Sequence, residues 1–252
     1  MRVGIVSRAM ALFLLCFAFS AARISGQSLS AAYDTNGFEA RRFADELLAA
    51  AKAPASSSVP ASIDISYLSP IEAGVVAELN LARGDPKAYA KYLREYRALI
   101  HNGVYEKPGE IGIQLQEGAH AVDDAIAFLE RQAPLGPLAA SKGLSAAARA
   151  HAVDQGRSGA TGHSGADGSS PFDRMNRFGK WNGTAGENIS YGAADARGIV
   201  IQLVVDDGVA SRGHRANIFG AAFKFVGIGV GPHPKYGTIC VQDFSGSYEE
   251  KR

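Results

Sequence analysis

The chain has 252 residues, of which 46% are hydrophobic, enough for one domain of about 200 residues with extensions or for two small ones. Its 26 basic residues are matched by 25 acidic ones. That balance leaves no field to steer a polyanion and argues against nucleic-acid binding, which normally shows as a basic patch or stripe.

The N-terminus reads as a secretory signal over residues 1–22. Arg2 and Arg8 give the charged start, Met10 to Phe19 is an apolar run too short for a resident membrane span, and Ser20-Ala21-Ala22 offers small residues for cleavage after Ala22. The expectation is a secreted chain, extracellular or periplasmic, with no membrane span. Leu15 is too bulky for a lipid-attachment motif at Cys16. Loss of the signal would leave Cys240 as the single thiol, so no intramolecular disulfide is expected and the fold must stand on its core. Cys240 sits in a β-rich run and reads as a buried, inert thiol.

Residues 23–66 form a lead-in and linker. Phe38, Phe43, Leu47 and Leu48 could stripe one short helix, and Ala53 to Pro60 has linker composition. The domain proper is expected over 67–248. Ser69, Pro70 and Glu72 make a helix start with a capping box, followed by a buried face of Ile71, Val75, Val76 and Leu79. Asp85-Pro86 repeats the device for a helix bearing Tyr89, Tyr92, Leu93 and Tyr96, tyrosines that read as core packing. Residues 100–118 are Gly-rich and irregular, and Ala121 to Leu129 supports another helix. Leu144 to Gln155 is a small-residue helix suited to close packing on a sheet. Ser170-Pro171-Phe172-Asp173 starts a further helix, and Ala194 to Val205 is a long one. A short strand is expected near Glu187. Two strands, Phe223 to Val230 and Gly237 to Phe244, close the chain around a Pro-rich turn. The order predicts a layered α+β domain.

Three short stretches carry ionisable groups among small or amide residues: Gly162-His163-Ser164-Gly165, Gly186-Glu187-Asn188-Ile189 and Gly213-His214-Arg215-Ala216-Asn217. Two imidazoles and a carboxylate brought together can hold a divalent metal, orient a water or form a buried hydrogen-bond network. A histidine flanked by glycine can also simply bond backbone carbonyls. His151 reads as a core residue, whereas His101, His120 and His233 are expected to meet solvent. Arg174 and Arg215 are candidates for ion pairs across the loops.

These stretches, with Glu78 to Pro86, Gly162 to Arg174 and Val226 to Val230, resemble the CAP superfamily of cysteine-rich secretory, antigen 5 and pathogenesis-related proteins, also called the SCP domain, in its bacterial variety. The resemblance covers roughly residues 70 to 247. It implies a three-layer α-β-α sandwich and a cleft with two histidines and two acids that binds a divalent metal in several members. By position the histidines are His163 and His214 as metal ligands. Glu187 is the first acid, holding a water or an imidazole, and Asp206 or Asp207 is the second. The reading that follows is a secreted, non-catalytic domain binding a divalent metal such as zinc, or a lipid, sterol, protein or cell-wall component. The alternative is a metal-assisted hydrolase or peptidase using His163, His214 and Glu187, with Glu187 as general base. A structural or adhesive role with an idle site is the third option.

Overall fold

The computed structural model describes residues 64–109 and 111–251. The signal segment, Cys16, the stripe from Phe38 to Leu48 and the linker around Pro54 lie outside the described residues. The chain divides into units Met1–Val59 and Pro60–Arg252, and every described residue belongs to the second.

Local chemistry starts the helices where the sequence marks them. In helix α1 (Pro70–Gly84), Glu72 Oε2 accepts from both Ser69 N and Ser69 Oγ at 2.8 Å. In α2 (Pro86–Ala98), Asp85 accepts from Ala88 N at 3.0 Å. Both helices begin with proline, whose missing N–H is unpaired there anyway. Val75, Leu79 and Ala82 of α1 and Tyr89 and Leu93 of α2 are buried in one core cluster. The tyrosines pack: the Tyr89 hydroxyl donates to Glu78 at 3.0 Å, Tyr92 lies under the Arg197 guanidinium, and Tyr96 stacks on Tyr105.

The stretch expected to be irregular contains a small antiparallel sheet of two-residue strands, β1 (Ile100–His101), β2 (Val104–Tyr105) and β3 (Ile113–Gln114). Asn102 and Gly103 turn the chain between the first two at positive φ, 50° and 80°, which suits these residue types. Helix α3 (His120–Arg131) follows and buries Ala121, Val122, Ala125 and Leu129 on one face.

The main sheet has four strands, β4 (Ala139–Ala140), β5 (Gly179–Tyr191), β6 (Phe225–His233) and β7 (Gly237–Glu250), in the order β4-β6-β7-β5. β4 is parallel to β6, and the other pairs are antiparallel. The strand near Glu187 has 13 residues, longer than expected, because β7 pairs with it from Tyr191↔Ile239 to Gly179↔Glu250 across one irregularity between Asn182 and Ala185.

Helices cover both faces. On one side lie α4 (Lys142–Ser158) and α5 (Pro171–Phe178), α4 packed on Ile189, Ile239 and Val241 and Met175 of α5 packed with Leu144 and Tyr248. On the other lie α1, α6 (Ala196–Val205) and α7 (Gly213–Ile218), packed on Val226, Ile228, Cys240 and Phe244. From Ile239 to Phe244 the alternation along β7 sends odd residues to the first face and even residues to the second, and past the irregularity opposite Asn182 and Ala185 Tyr248 returns to the first. The domain is a three-layer α-β-α sandwich. Gly227 and Gly229 set the spacing of the first interface: a Cβ on them would stand 2.1 Å from the Leu144 carbonyl carbon and 2.3 Å from Arg149 N.

Cys240 is buried in that core and unpaired, and burial pushes its thiol up to about 12. His101 and His120 are exposed and His151 is fully buried. His233 corrects the expectation of a solvent-facing ring. It is the last residue of β6, where Nε2 lies 2.9 Å from Ala160 O and the ring packs between Tyr191 and Tyr236.

Candidate functional site

The first histidine stands on the loop after α4. That helix ends in a left-handed glycine, Gly159, whose N–H donates to Gln155 O at 2.7 Å. The loop is then fastened at Gly162, also at positive φ. Gly162 O meets His151 Nε2 at 3.0 Å and the Gln155 amide, while Gly162 N donates to the Tyr191 hydroxyl at 2.9 Å. Arg174 completes the anchoring from α5, donating through Nη1 to His163 O and Ser169 O at 3.0 Å each.

So placed, His163 Nδ1 lies 2.7 Å from Glu187 Oε1. The carboxylate can only accept, so Nδ1 carries the hydrogen. Glu187 Oε2 accepts from Arg174 Nη2 at 2.7 Å. The Glu187 side chain is 1% exposed, whereas His163 is 51% exposed. The acid is structural backing, and the imidazole is the part that meets solvent.

The second histidine is built by the connection from α6 to α7. Asp206 ends α6 in the left-handed region at φ 57°, a conformation aspartate tolerates better than most residues. Its side chain turns onto α7: Oδ2 accepts from His214 N at 2.9 Å and Oδ1 lies 2.6 Å from His214 Nδ1. Asp206 is 2% exposed at its side chain and His214 24%. Of the two candidate acids, Asp206 meets the histidine. Asp207 points the other way and accepts from Gln116 N at 2.7 Å and Glu117 N at 2.8 Å.

Edge strand β5 joins the two halves. Glu187 and Asn188 are consecutive, so they face opposite sides of the sheet. Glu187 holds His163 on the α4 side. Asn188, with no exposed surface, donates to His214 O at 3.1 Å on the α7 side and accepts from Asn217 Nδ2 at 2.8 Å. The histidines therefore stand on either side of one edge strand.

The two imidazoles share one pattern: each gives Nδ1–H to a buried carboxylate, and among the described residues neither Nε2 has a hydrogen-bond partner. A carboxylate on one ring nitrogen fixes the tautomer and leaves the other nitrogen with a free lone pair. A neutral imidazole with a free Nε2 is the form in which histidine ligates a metal. Among the described residues no group of three or more His, Cys, Asp or Glu side chains is arranged to hold one. Any site here is thus an open, two-imidazole site.

Arg174 and Arg215 both bridge elements. Arg174 is buried against Glu187, and Arg215 reaches Asp124 at 2.9 Å and Val204 O at 2.6 Å. Arg212, which the sequence did not mark, pairs with Glu117 through both Nη atoms at 2.6 Å, and Asp243 was likewise unmarked. Asn188 and Asn217 stand inside two of the motifs, and their amides tie those segments together.

A cavity of about 540 Å³ at the start of α4 is lined by Tyr67, Lys142, Arg177 and Glu250 among others, and neither histidine contributes to it. Among the described residues no helix is long and apolar enough to cross a membrane.

A comparison with curated proteins finds no match. Among solved structures, one similar chain is an extracellular SCP-domain protein of Bacillus anthracis, 20% identical over 52% of this chain and 39% of that one, with a TM-score of 0.36. An outer surface protein of Borrelia burgdorferi is 16% identical over 46% of this chain and 80% of that one, with a TM-score of 0.38. A cysteine-rich secretory protein of Staphylococcus aureus is 13% identical over 56% and 44%, with a TM-score of 0.33. This chain spans less than half of the first and third of these. Residues 78–244, which include His163, Glu187, Asp206 and His214, match the family model of the cysteine-rich secretory proteins, CAP, and the chain belongs to that family.

Proposed function

We propose that this chain is an exported CAP-domain protein whose cleft binds a divalent cation, zinc being the natural probe, without turnover. One observation carries the reading: both imidazoles are locked through Nδ1 onto buried carboxylates, His163 on Glu187 and His214 on Asp206, and among the described residues neither Nε2 has a hydrogen-bond partner. The signal-like residues 1–22 and the family support export. A bound cation would itself offer charge to an anionic or carbonyl-bearing extracellular ligand.

Binding is favoured over hydrolysis because Glu187 is not available as a base. Its two oxygens are taken by His163 and Arg174, and its side chain is 1% exposed. A general base must reach the proton it removes. Glu187 instead fixes the His163 tautomer.

Calorimetry with zinc at neutral pH tests the reading. Wild type should bind at one site, and His163→Ala and His214→Ala should each abolish binding while staying folded. Glu187→Gln should weaken binding about 10–100-fold, the usual effect of losing a carboxylate behind a ligating histidine. Acidification should weaken binding because only neutral imidazole ligates. Equal binding by wild type and the double histidine variant would sink the proposal.

A further inference from the structure

Asp243 takes no part in the contacts described above, yet it stands directly behind them. On β7 it is in register with Glu187 of β5 on one side and Gly227 of β6 on the other. α4 is pressed onto this point, since even a Cβ at Gly227 would meet the Leu144 backbone. Asp243 has no exposed surface, and both its carboxylate oxygens are buried without a hydrogen-bond donor among the described residues.

Other buried acids of the domain are supplied with donors. Glu72 has Arg149 and Ser69, Glu187 has Arg174 and His163, and Asp206 has His214. The groups around Asp243 are few. Glu187 faces it from β5, Arg174 from α5 and Tyr248 from its own strand, while His151 of α4 faces the same Glu187. β6 presents only Gly227. Arg174 is the one cation of this set: its Nη atoms are spent on Glu187, His163 and Ser169, and its buried Nε makes no hydrogen bond to either Asp243 oxygen.

An ionised carboxylate can only accept hydrogen bonds, so two ionised acids side by side cannot satisfy each other. A proton on one of them turns the pair from repulsive to bonded. Glu187 already accepts from Arg174 and His163 while Asp243 has no donor, which leaves Asp243 as the acid that carries the proton.

We propose that Asp243 is a neutral carboxylic acid in the folded protein at neutral pH and donates its O–H to Glu187, forming a proton-bearing carboxyl pair behind His163. Burial, reinforced by the charge of Glu187, holds its carboxyl well above the usual aspartate range. Asp243 is then a positioning residue. With Arg174 and His163 it holds Glu187 from three sides, and a line of hydrogen bonds runs from the closed core through Glu187 to the half-exposed imidazole. The inference does not depend on metal binding.

Carbon-13 NMR of the metal-free full chain tests it, with the Asp243 carboxyl correlated to its own backbone amide. The carboxyl should remain in its protonated form at neutral pH, well above the reference aspartate value of about 3.9. Asp243→Asn, which keeps a donor and removes the titration, supplies a second reading. The folded state binds this proton more tightly than the unfolded one, so wild-type stability should fall as pH rises above about 3.9. The variant lacks that loss, so its melting temperature should gain on wild type progressively as pH rises. An Asp243 carboxyl that ionises in the ordinary aspartate range overturns the proposal, as do parallel pH profiles for wild type and variant. Should the variant not fold, the wild-type spectrum decides alone.

Discussion

At the scale of single residues, the side chains of this domain divide by what burial does to them. His163 keeps half its surface because Glu187, not the imidazole, is the part packed into the core. Cys240 goes to the opposite extreme, fully buried with its thiol pushed up to about 12, where the reactive thiolate is scarce. In full-length protein carrying Cys16→Ser, Ellman's reagent should therefore find no reactive thiol in the native state and one after denaturation. Prompt labelling of the native protein would contradict the packing of β7. The same lone thiol was legible in the sequence as inert, from its β-rich surroundings. Asp243 was not legible, because an acid in a strand gives no sign of whether its side chain meets solvent or the underside of a helix.

At the scale of elements, the segment before α3 acts on the second histidine from a distance. Asp207 holds Gln116 N and Glu117 N, Glu117 accepts from Gly208 N at 2.8 Å, and the Arg212 guanidinium forks onto Glu117. Arg212 also donates to Asp206 O at 2.8 Å and sits at φ 51°. The loop that aims Asp206 and His214 is thus clamped to residues 116–124. The Arg212 hydrogen bonds hold the Glu117 carboxyl down at about 2. A depressed carboxylate stabilises above its unfolded value, about 4.3 for glutamate, and that contribution is lost as pH falls towards the folded value. Hydrogen exchange of the loop amides at residues 206–212 should therefore be faster in Glu117→Gln than in wild type near neutral pH. The two should converge as the pH is lowered to about 2. Global stability should change by less than about 1 kcal/mol, because the pair is partly solvated. Identical exchange at neutral pH would remove the clamp from the account. This contact between residues 90 or so positions apart has no local sequence pattern, and a Gly-rich stretch read as irregular concealed it.

At the scale of the whole molecule, the layers are held at a spacing that two glycines permit. Gly229→Ala would put a Cβ 2.3 Å from the backbone of Arg149, and neither side of that contact can rotate away. Overpacking of this kind costs about 1–3 kcal/mol. Gly231→Ala, whose Cβ would meet nothing nearer than 3.8 Å, should cost much less. Denaturant midpoints of the two variants check this, and equal midpoints would mean that α4 can lift off the sheet freely. The helix starts at Ser69 and Ser170, the small-residue helix α4, the closing strand pair and the two histidine motifs could all be read from the sequence. Capping, periodicity and turn chemistry act over a few residues, and the chain writes them out in order. The choice of Asp206 over Asp207, the inward turn of His233, the Arg174–Glu187 pair and the burial of Asp243 were decided only by the tertiary structure. Each depends on which side chains the folded layers bring within hydrogen-bond reach, and that distance is set by packing between segments far apart in the chain.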